Sequence, residues 1–140
     1  MAAKKILVGL DGSQGCFKAL DEAVQLAQLC GVALHTISVE ELPRYPSSVS
    51  EVTEAKEEAD EAFQEALHKA RKIAESAGIE LQTTTLVGHE VKSIVEFIKQ
   101  GGFDLLVIGF MGHSALYDRV MGSTCQALVR LAPCSVLVVK

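Results

Sequence analysis

The sequence predicts a doubly wound α/β fold: a parallel sheet of five strands in the order 3-2-1-4-5 with helices on both faces, a Rossmann-like arrangement. Apolar runs that suit doubly buried strands alternate with amphipathic helical patterns along the chain. The resulting order, β-α-β-α-β-α-β-α-β, is typical of such a sheet. Since five strands of this kind use up 140 residues, we expect residues 1–140 to form a single domain.

The first part of the chain has the pattern strand, helix, strand. The strands are predicted at Lys4–Ser13, an apolar run that ends in turn residues, and at Val32–Glu40. Between them an apolar residue recurs every three or four positions, which predicts an amphipathic helix that ends at Gly31. The apolar positions of this helix are Phe17, Leu20, Val24 and Ala27.

A long helix is predicted over Glu51–Ala77, after a loop at Pro43–Ser50. Its apolar residues recur in steps of three or four, and Ser48 and Glu51 have the spacing of a capping box. Its first eleven residues hold six acids and one lysine. We expect a solvated helix face there, with the acids favoured by the positive end of the helix, rather than an acidic recruitment or metal-binding patch.

Three more strands and two shorter helices complete the alternation. The strands are predicted at Ile79–Val87, Phe103–Gly109 and Ser135–Lys140. An apolar stripe from Val91 to Ile98 predicts the first helix, which glycines 101 and 102 close, and Ser123–Leu131 is predicted as the second.

Charge and composition disfavour several classes of function. Thirteen basic and eighteen acidic residues give a net charge of −5, so we expect no binding to nucleic acid or to a membrane surface. The longest mostly apolar run, Leu105–Gly112, is far shorter than the roughly 20 residues that cross a bilayer. The apolar run after Lys5 is too short for a secretory signal, and the expected location is therefore the cytoplasm.

The spacing of cysteine and histidine does not indicate a metal centre. The four cysteines form no C-x-x-C pair, and the four histidines are equally scattered. We therefore expect free thiols and no metal site made by the protein alone.

Two loops should carry the chemistry of this fold. Ligands of open α/β sheets bind at the carboxyl ends of the strands, where the strand order reverses. The loop after the first strand is Asp11–Ser13, and the loop after the fourth is Gly109–Thr124. Residues 109–140 hold three basic side chains and one acidic one, a net of +2. This local charge predicts a neutral-to-positive pocket on an acidic body.

The loop after the fourth strand is interpreted as a phosphate cradle. Gly109 and Gly112 would let the backbone approach a bulky anion, and Gly122 would lead into a helix start with free N–H groups and the hydroxyls of Ser123 and Thr124. Glycines are also common in ordinary strand-to-helix turns, which is the alternative.

The acidic turn after the first strand also has two interpretations. Asp11 can accept hydrogen bonds from ribose hydroxyls. Alternatively, it closes the turn with Ser13 or caps the first helix.

These segments resemble the nucleotide-binding members of the universal stress protein family, whose motif is G-x2-G-x9-G-S/T. The matching residues are Gly109, Gly112, Gly122 and Ser123. Lys5–Ser13 is similar to the family's opening strand and acidic turn, and Ala132–Val139 is similar to its closing strand. The resemblance therefore covers essentially the whole chain and implies an adenine nucleotide alpha hydrolase-like fold.

The resemblance implies a site for ATP, AMP or another adenine nucleotide, and leaves open whether Mg²⁺ or Mn²⁺ accompanies it. Asp11, in a turn with Gly12 and Ser13, would hold the ribose; Val39 would present backbone polar atoms to the adenine; Ile108 would line the pocket floor. The residues that would wrap the ribose and phosphates are Gly109, Met111, Gly112, Gly122, Ser123, Thr124 and Cys125.

One departure from the family bears on the ligand. Phe110 and Met111 stand where many nucleotide-binding members have a basic or polar residue. The change would weaken phosphate affinity or favour a monophosphate or cyclic nucleotide, unless His113 or Arg119 compensates.

The resemblance further implies a homodimer that pairs its last strands, here Ser135–Lys140. The alternative is a lone edge strand guarded by Lys140. The implied function is that of a dimeric, nucleotide-dependent regulatory module in stress adaptation.

Two other functions stay open: a slow ATPase or adenylate kinase-like enzyme, and an interaction protein with a vestigial pocket. The G-x-x-x-x-G-K-S/T loop is absent. His113 is a conceivable base or else an exposed loop residue. Cys125, at a helix start, is a thiol of lowered pKa or else a packing residue. No catalytic set is complete, and we name no catalytic residue.

Overall fold

Five parallel strands form one sheet in the order β3-β2-β1-β4-β5, which confirms the predicted fold class. This computed structural model describes residues 3–41, 49–110 and 121–140. The strands are β1 (Ile6–Gly9), β2 (Leu34–Glu40), β3 (Leu81–Val87), β4 (Leu105–Gly109) and β5 (Ser135–Val139). The helices are α1 (Gln14–Cys30), α2 (Val49–Ser76), α3 (Glu90–Gly101) and α4 (Ser123–Leu131).

Helices cover both faces of the sheet. Since successive residues of a strand point to opposite faces, neighbouring residues pack against different helices. Val8 of β1 packs into the core formed with α1 and α2, whereas its neighbour Leu7 packs into the core formed with α3 and α4. Both side chains are fully buried. The continuous apolar run of β1 thus serves two cores at once.

The long helix α2 differs from its prediction in two ways. It begins at Val49, two residues before the predicted start, while Ser48 of the proposed capping box lies outside the described residues. It also buries Leu67 and Ala74. These two residues are not in the apolar stripe predicted from the sequence, which consists of Ala55, Ala59, Phe63, Ala66, Ala70, Ile73 and Ala77. The acids described near its start are exposed, which agrees with a solvated face: Glu57, Glu58, Asp60 and Glu61.

The carboxyl edge of the sheet is stepped. Gly9, the last residue of β1, lies opposite Ile37, and β2 continues for three more residues to Glu40. The strand order reverses at this edge, because β2 and β4 flank β1 on its two sides. The step leaves space above β1, between the turn that follows it and the end of β4.

The opposite edge is closed by hydrogen bonds. The carboxylate of Asp104, just before β4, accepts bonds from the backbone N–H groups of Lys4 (2.9 Å) and Lys5 (3.1 Å). These bonds lower the pKa of Asp104 below its ordinary value. Within the described part of the chain, no helix is both long and apolar enough to cross a membrane.

Candidate functional site

A cleft of about 650 Å³ opens at the carboxyl edge of the sheet, over the point where the strand order reverses. Its walls come from the turn after β1, the ends of β2 and β4, the first turns of α1, α3 and α4, and the middle of α2. Pockets for small organic ligands typically have volumes of about 300–1,000 Å³. The cleft therefore has the position and size of a ligand site.

Most of the predicted site residues line this cleft: Asp11, Gly12, Ser13, Val39, Ile108, Gly109, Gly122, Ser123, Thr124 and Cys125. Met111 and Gly112 lie outside the described residues, as do His113 and Arg119. The fold thus brings together residues that are more than a hundred positions apart in the chain. Their individual binding roles stay predictions.

The turn after β1 is held by its own side chains. Oδ1 of Asp11 accepts hydrogen bonds from the backbone N–H (2.9 Å) and the hydroxyl (2.6 Å) of Ser13. The Ser13 hydroxyl in turn accepts from the backbone N–H of Cys16 (3.2 Å) and so caps α1. Gly12 has φ +84°, a backbone conformation that favours glycine. Asp11 thus closes the turn with Ser13, which was one of the two interpretations of this residue.

That turn is compatible with a ligand role for Asp11. Both bonds from Ser13 are accepted by Oδ1 of Asp11, and a carboxylate has about four acceptor positions on its two oxygens. The Ser13 hydroxyl, by contrast, already donates to Asp11 and accepts from Cys16. Ser13 is therefore better suited to holding the turn than to binding a ligand.

The start of α4 is constructed differently from the start of α1. Its N-cap is Gly122, which has no side chain, and within the described residues no side chain caps this helix. The N–H of Gly122 donates to the carbonyl of Phe110 (2.9 Å), which fixes the cap against the end of β4. The first backbone N–H groups of a helix have no partner within it. An uncapped helix start that lines a cleft favours an anion there.

Gly109 is required for helix packing, a reason that the sequence pattern did not indicate. A Cβ at this position would lie 2.8 Å from the backbone C and O atoms of Gly15, in the first turn of α1. Gly109 therefore allows α1 to pack against the end of β4. Its predicted contact with an anion stays a prediction.

Neither cysteine of the cleft is an activated nucleophile. Burial raises the pKa of the Cys125 thiol, so the suggestion of a lowered pKa is wrong and the packing interpretation holds. Burial, reinforced by the nearby Asp11 carboxylate, raises the pKa of Cys16 to about 11. Both thiols are thus protonated at neutral pH.

The charge of the lining departs from the expected neutral-to-positive pocket. Within the described residues the cleft is lined by four acidic side chains and one basic one: Asp11, Glu41, Glu65, Glu90 and Lys69. The expectation was wrong for these residues because it summed charge along one stretch of sequence. All four acids come from outside that stretch: two from the segments after β1 and β2, and two from α2 and α3.

Sequence reasoning missed the residues that α2 and α3 contribute. Glu41 follows β2 directly, and Glu90 opens α3 just after β3, so the strand order alone could have placed both at this edge. Glu41 accepts a hydrogen bond from the backbone N–H of Glu90 (2.9 Å). The α2 residues were missed because no sequence pattern indicates where a helix passes relative to a loop. They are Ala62, Phe63, Glu65, Ala66 and Lys69.

Phe110, where the chain departs from the family pattern, is not part of the described cleft lining. Its N–H donates to the carbonyl of Val139 (2.9 Å), and Nζ of Lys140 lies 5.4 Å from its ring centroid. Phe110 therefore extends the contact between β4 and β5. Within residues 3–41, 49–110 and 121–140, no cluster of three or more His, Cys, Asp or Glu side chains is arranged to hold a metal ion.

The sequence matches the model of the universal stress protein family over residues 2–140. A similar protein is the universal stress protein MJ0531 of Methanocaldococcus jannaschii. It is 32% identical over 139 residues, and the match covers 98% of this chain and 82% of that protein.

Solved structures of the same family superpose over nearly the whole chain. The universal stress protein UspA from Lactobacillus plantarum is 26% identical with a TM-score of 0.88, covering 98% of this chain and 97% of that one. A universal stress protein in complex with cAMP is 27% identical with a TM-score of 0.77, covering 100% and 99%. The protein from Archaeoglobus fulgidus in complex with dAMP is 26% identical with a TM-score of 0.68, covering 100% of both chains.

Proposed function

Because the chain belongs to the universal stress protein family, we propose that it is a regulatory protein that binds an adenine nucleotide in the cleft at the carboxyl edge of its sheet. One observation carries the proposal: the start of α4, which no side chain caps among the described residues, faces the same cleft as the acidic turn after β1. One end of this cleft suits a phosphate and the other suits sugar hydroxyls. The relatives solved with cAMP and dAMP support the ligand class.

The residues divide into three groups by the part of the nucleotide they would meet. Asp11 would accept from the ribose hydroxyls, Val39 at the end of β2 would present backbone polar atoms to the adenine, and Ile108 at the end of β4 would line the pocket floor. Gly122, Ser123 and Thr124 would bind the phosphate through backbone N–H groups and hydroxyls. The proposed ligand is ATP, AMP or a cyclic or deoxy form of the monophosphate. We further propose that residues 1–140 form a single domain.

The expected activity is binding and signalling rather than turnover. The two thiols of the cleft are protonated at neutral pH, because burial raises the pKa of each. Hydrolysis of a nucleoside triphosphate needs charge neutralisation at the transferred phosphoryl group. The described lining supplies a single amine for that purpose, on Lys69. The bound-nucleotide state would therefore be read by other proteins.

The proposed oligomer is a homodimer through β5. This strand lies at the edge of the sheet and pairs with β4 on one side. Apolar side chains close to it are exposed: Leu137 by 36%, Val129 by 45% and Leu131 by 58%. An unprotected apolar edge is an aggregation hazard that pairing removes. Sedimentation velocity tests this, with a species of twice the chain mass expected.

Calorimetric titration with AMP, cAMP and ATP tests the binding. We expect saturable binding of at least one of them, and at least a fivefold loss of affinity in Asp11→Asn, about 1 kcal/mol. The amide oxygen of asparagine can still accept from Ser13, so the turn is retained while the charge is lost.

The matched control is Asp104→Asn, the same substitution at the opposite edge of the sheet. It should leave the affinity for nucleotide unchanged. Absence of binding to all three nucleotides would refute the proposed function. Equal losses of affinity in the two variants would show that Asp11 acts only through folding.

A further inference from the structure

Lys69 is the basic side chain that the described residues contribute to the cleft. It lies on α2, the helix whose charges were interpreted from the sequence as a solvated face. Its Nζ lies 4.1 Å from the centroid of the Phe17 ring, a cation–π contact, and Phe17 also lines the cleft. The amine is thus held at the cleft wall by an aromatic ring of α1.

Both partners in this contact are anchored to the core. Ala66 and Ala70, three residues before and one residue after Lys69, are buried against the core that α1 and α2 share. Phe17 is partly buried against the same core, at the fourth residue of α1. The backbone of α2 is therefore fixed at this height, although the lysine side chain itself is exposed.

The cleft needs a positive charge if its ligand carries phosphate. Four carboxylates line it, and Glu41 and Glu65 are exposed on the same walls. The uncapped start of α4 offers partial positive charge, equivalent to roughly half an elementary charge at most. Phe110, an apolar residue after the end of β4, donates its N–H to Val139 and has the amine of Lys140 beside its ring, so it brings no charge to the described lining.

We propose that Lys69 contacts the phosphate-bearing end of the bound nucleotide and sets the preference of the cleft among nucleotides of different charge. This inference rests on the proposed function. Lys69 brings to the cleft, from α2, a positive charge that Phe110 does not provide. An ammonium group acts on phosphate as a point charge, so its effect rises with the number of phosphate groups on the ligand.

The test compares adenosine, AMP and ATP as ligands of the full-length protein by calorimetry. In Lys69→Gln we expect about a fivefold loss of affinity for ATP, about a twofold loss for AMP and no loss for adenosine. Lys69→Arg keeps the charge and should restore the affinity for ATP. The losses should shrink as the salt concentration rises, because salt screens an exposed charge.

Lys72→Gln is the matched control, since it removes the same charge from an exposed position of the same helix, three residues further along and outside the described cleft lining. It should leave all three affinities unchanged. If the two substitutions had equal effects, Lys69 would act only through the overall electrostatic field of the protein, and the inference would be overturned. An equal loss for adenosine and ATP in Lys69→Gln would overturn it too, since that would show a packing role.

Failure of the proposed function gives a different result. If the wild-type protein binds none of the three ligands, the nucleotide site itself is refuted. If the wild type binds them and Lys69→Gln changes nothing, only the role of Lys69 is overturned.

Discussion

The two edges of one sheet differ in how their polar groups are used. At the amino edge, Asp104 accepts from the N–H groups of Lys4 and Lys5, and Nζ of Lys5 donates to the carbonyl of Gly101. At the carboxyl edge, Gly122 starts α4 without a side-chain cap, beside a cleft of about 650 Å³. The first edge uses its polar groups to join elements of the fold, whereas the second directs some of them to a cavity.

This difference follows from parallel topology. All five strands end at the same edge, so their following loops converge there, and the reversal of strand order between β2 and β4 separates those loops. We therefore expect substitution of groups that face the cleft to change binding, and substitution of groups that join elements of the fold, at either edge, to change stability. The predictions below test this division.

Gly122→Asp should have the largest effect. Gly122 has φ −61° and ψ 150°, which any residue adopts at an N-cap, and aspartate is a preferred N-cap residue. Its carboxylate would bond to the N–H groups of the first turn and repel phosphate. We expect more than a tenfold loss of nucleotide affinity by calorimetry, with a free energy of unfolding that is unchanged or higher by a few tenths of a kcal/mol.

Gly122→Ser separates the charge from the cap. Serine also caps well but carries no charge, so its loss of affinity should be clearly smaller than that of Gly122→Asp. Equal losses would mean that occupying the N–H groups, and not charge, controls binding. Unchanged affinity in both variants would remove α4 from the site.

Ser13→Ala tests the capped helix start of the same edge. The Ser13 hydroxyl caps α1 and bonds to Asp11, so its removal should lower the free energy of unfolding by about 1 kcal/mol, measured by urea denaturation. Its affinity for nucleotide should change less than twofold. Ser123→Ala, at the start of α4, should show the reverse pattern, and identical behaviour of the two would contradict the contrast between the helices.

Asp104→Asn tests the amino edge. The bonds from Lys4 and Lys5 lower the pKa of Asp104 in the folded state, so its contribution to stability is present above its ordinary pKa of 3.8 and is lost as the pH falls through the lower folded value. Asp104→Asn should therefore cost less than about 1 kcal/mol at pH 7, because solvent screens this carboxylate, and the difference should shrink below about pH 4. A difference that is constant down to pH 2 would contradict this cause.

The smallest effect concerns His35, near the amino edge of β2. Its Nε2 lies 2.8 Å from Oγ1 of Thr84, and its ring packs edge-on against Phe97 and Phe103 at 5.3 Å. Burial, with a smaller effect of Lys5, lowers the pKa of His35 below its ordinary value of 6.5.

On acidification the unfolded chain therefore binds a proton at His35 before the folded chain does. Stability should fall as the pH drops below about 6.5. His35→Gln should flatten this part of the pH profile of stability, whereas His68→Gln, an exposed change on α2, should leave it as it is. An unchanged slope in His35→Gln would contradict the assignment.

Much of the fold could be predicted from the sequence, because each element has a local signal. The doubly buried strands read as apolar runs, and Gly31 ends α1 as expected. The loops of the cleft could be predicted as well, since the topology places the segments after β1 and β4 at one edge. Asp11, Gly12 and Ser13 of the first loop, and Gly109, Gly122, Ser123 and Thr124 among the described residues of the second, do line one cleft.

The rest depends on contacts that no local pattern encodes. Gly109 is glycine because the backbone of Gly15 lies against it, a contact between residues far apart in sequence. The sequence allowed Cys125 to be either an activated thiol or a packing residue. Burial raises the pKa of its thiol, which favours the packing role. The acidic lining arises because Glu65 comes from a helix that the sequence could not place relative to the cleft.

The most direct test of the central claim is to map the amide shifts of ¹⁵N-labelled protein during titration with AMP. We predict that the largest shifts fall on the N–H groups of Ser123, Thr124 and Cys125 and on the turn 11–13, at the carboxyl edge. The amide chemical shifts of Lys4 and Lys5 should not change. Shifts confined to the amino edge, or none at the start of α4 at saturation, would contradict the account.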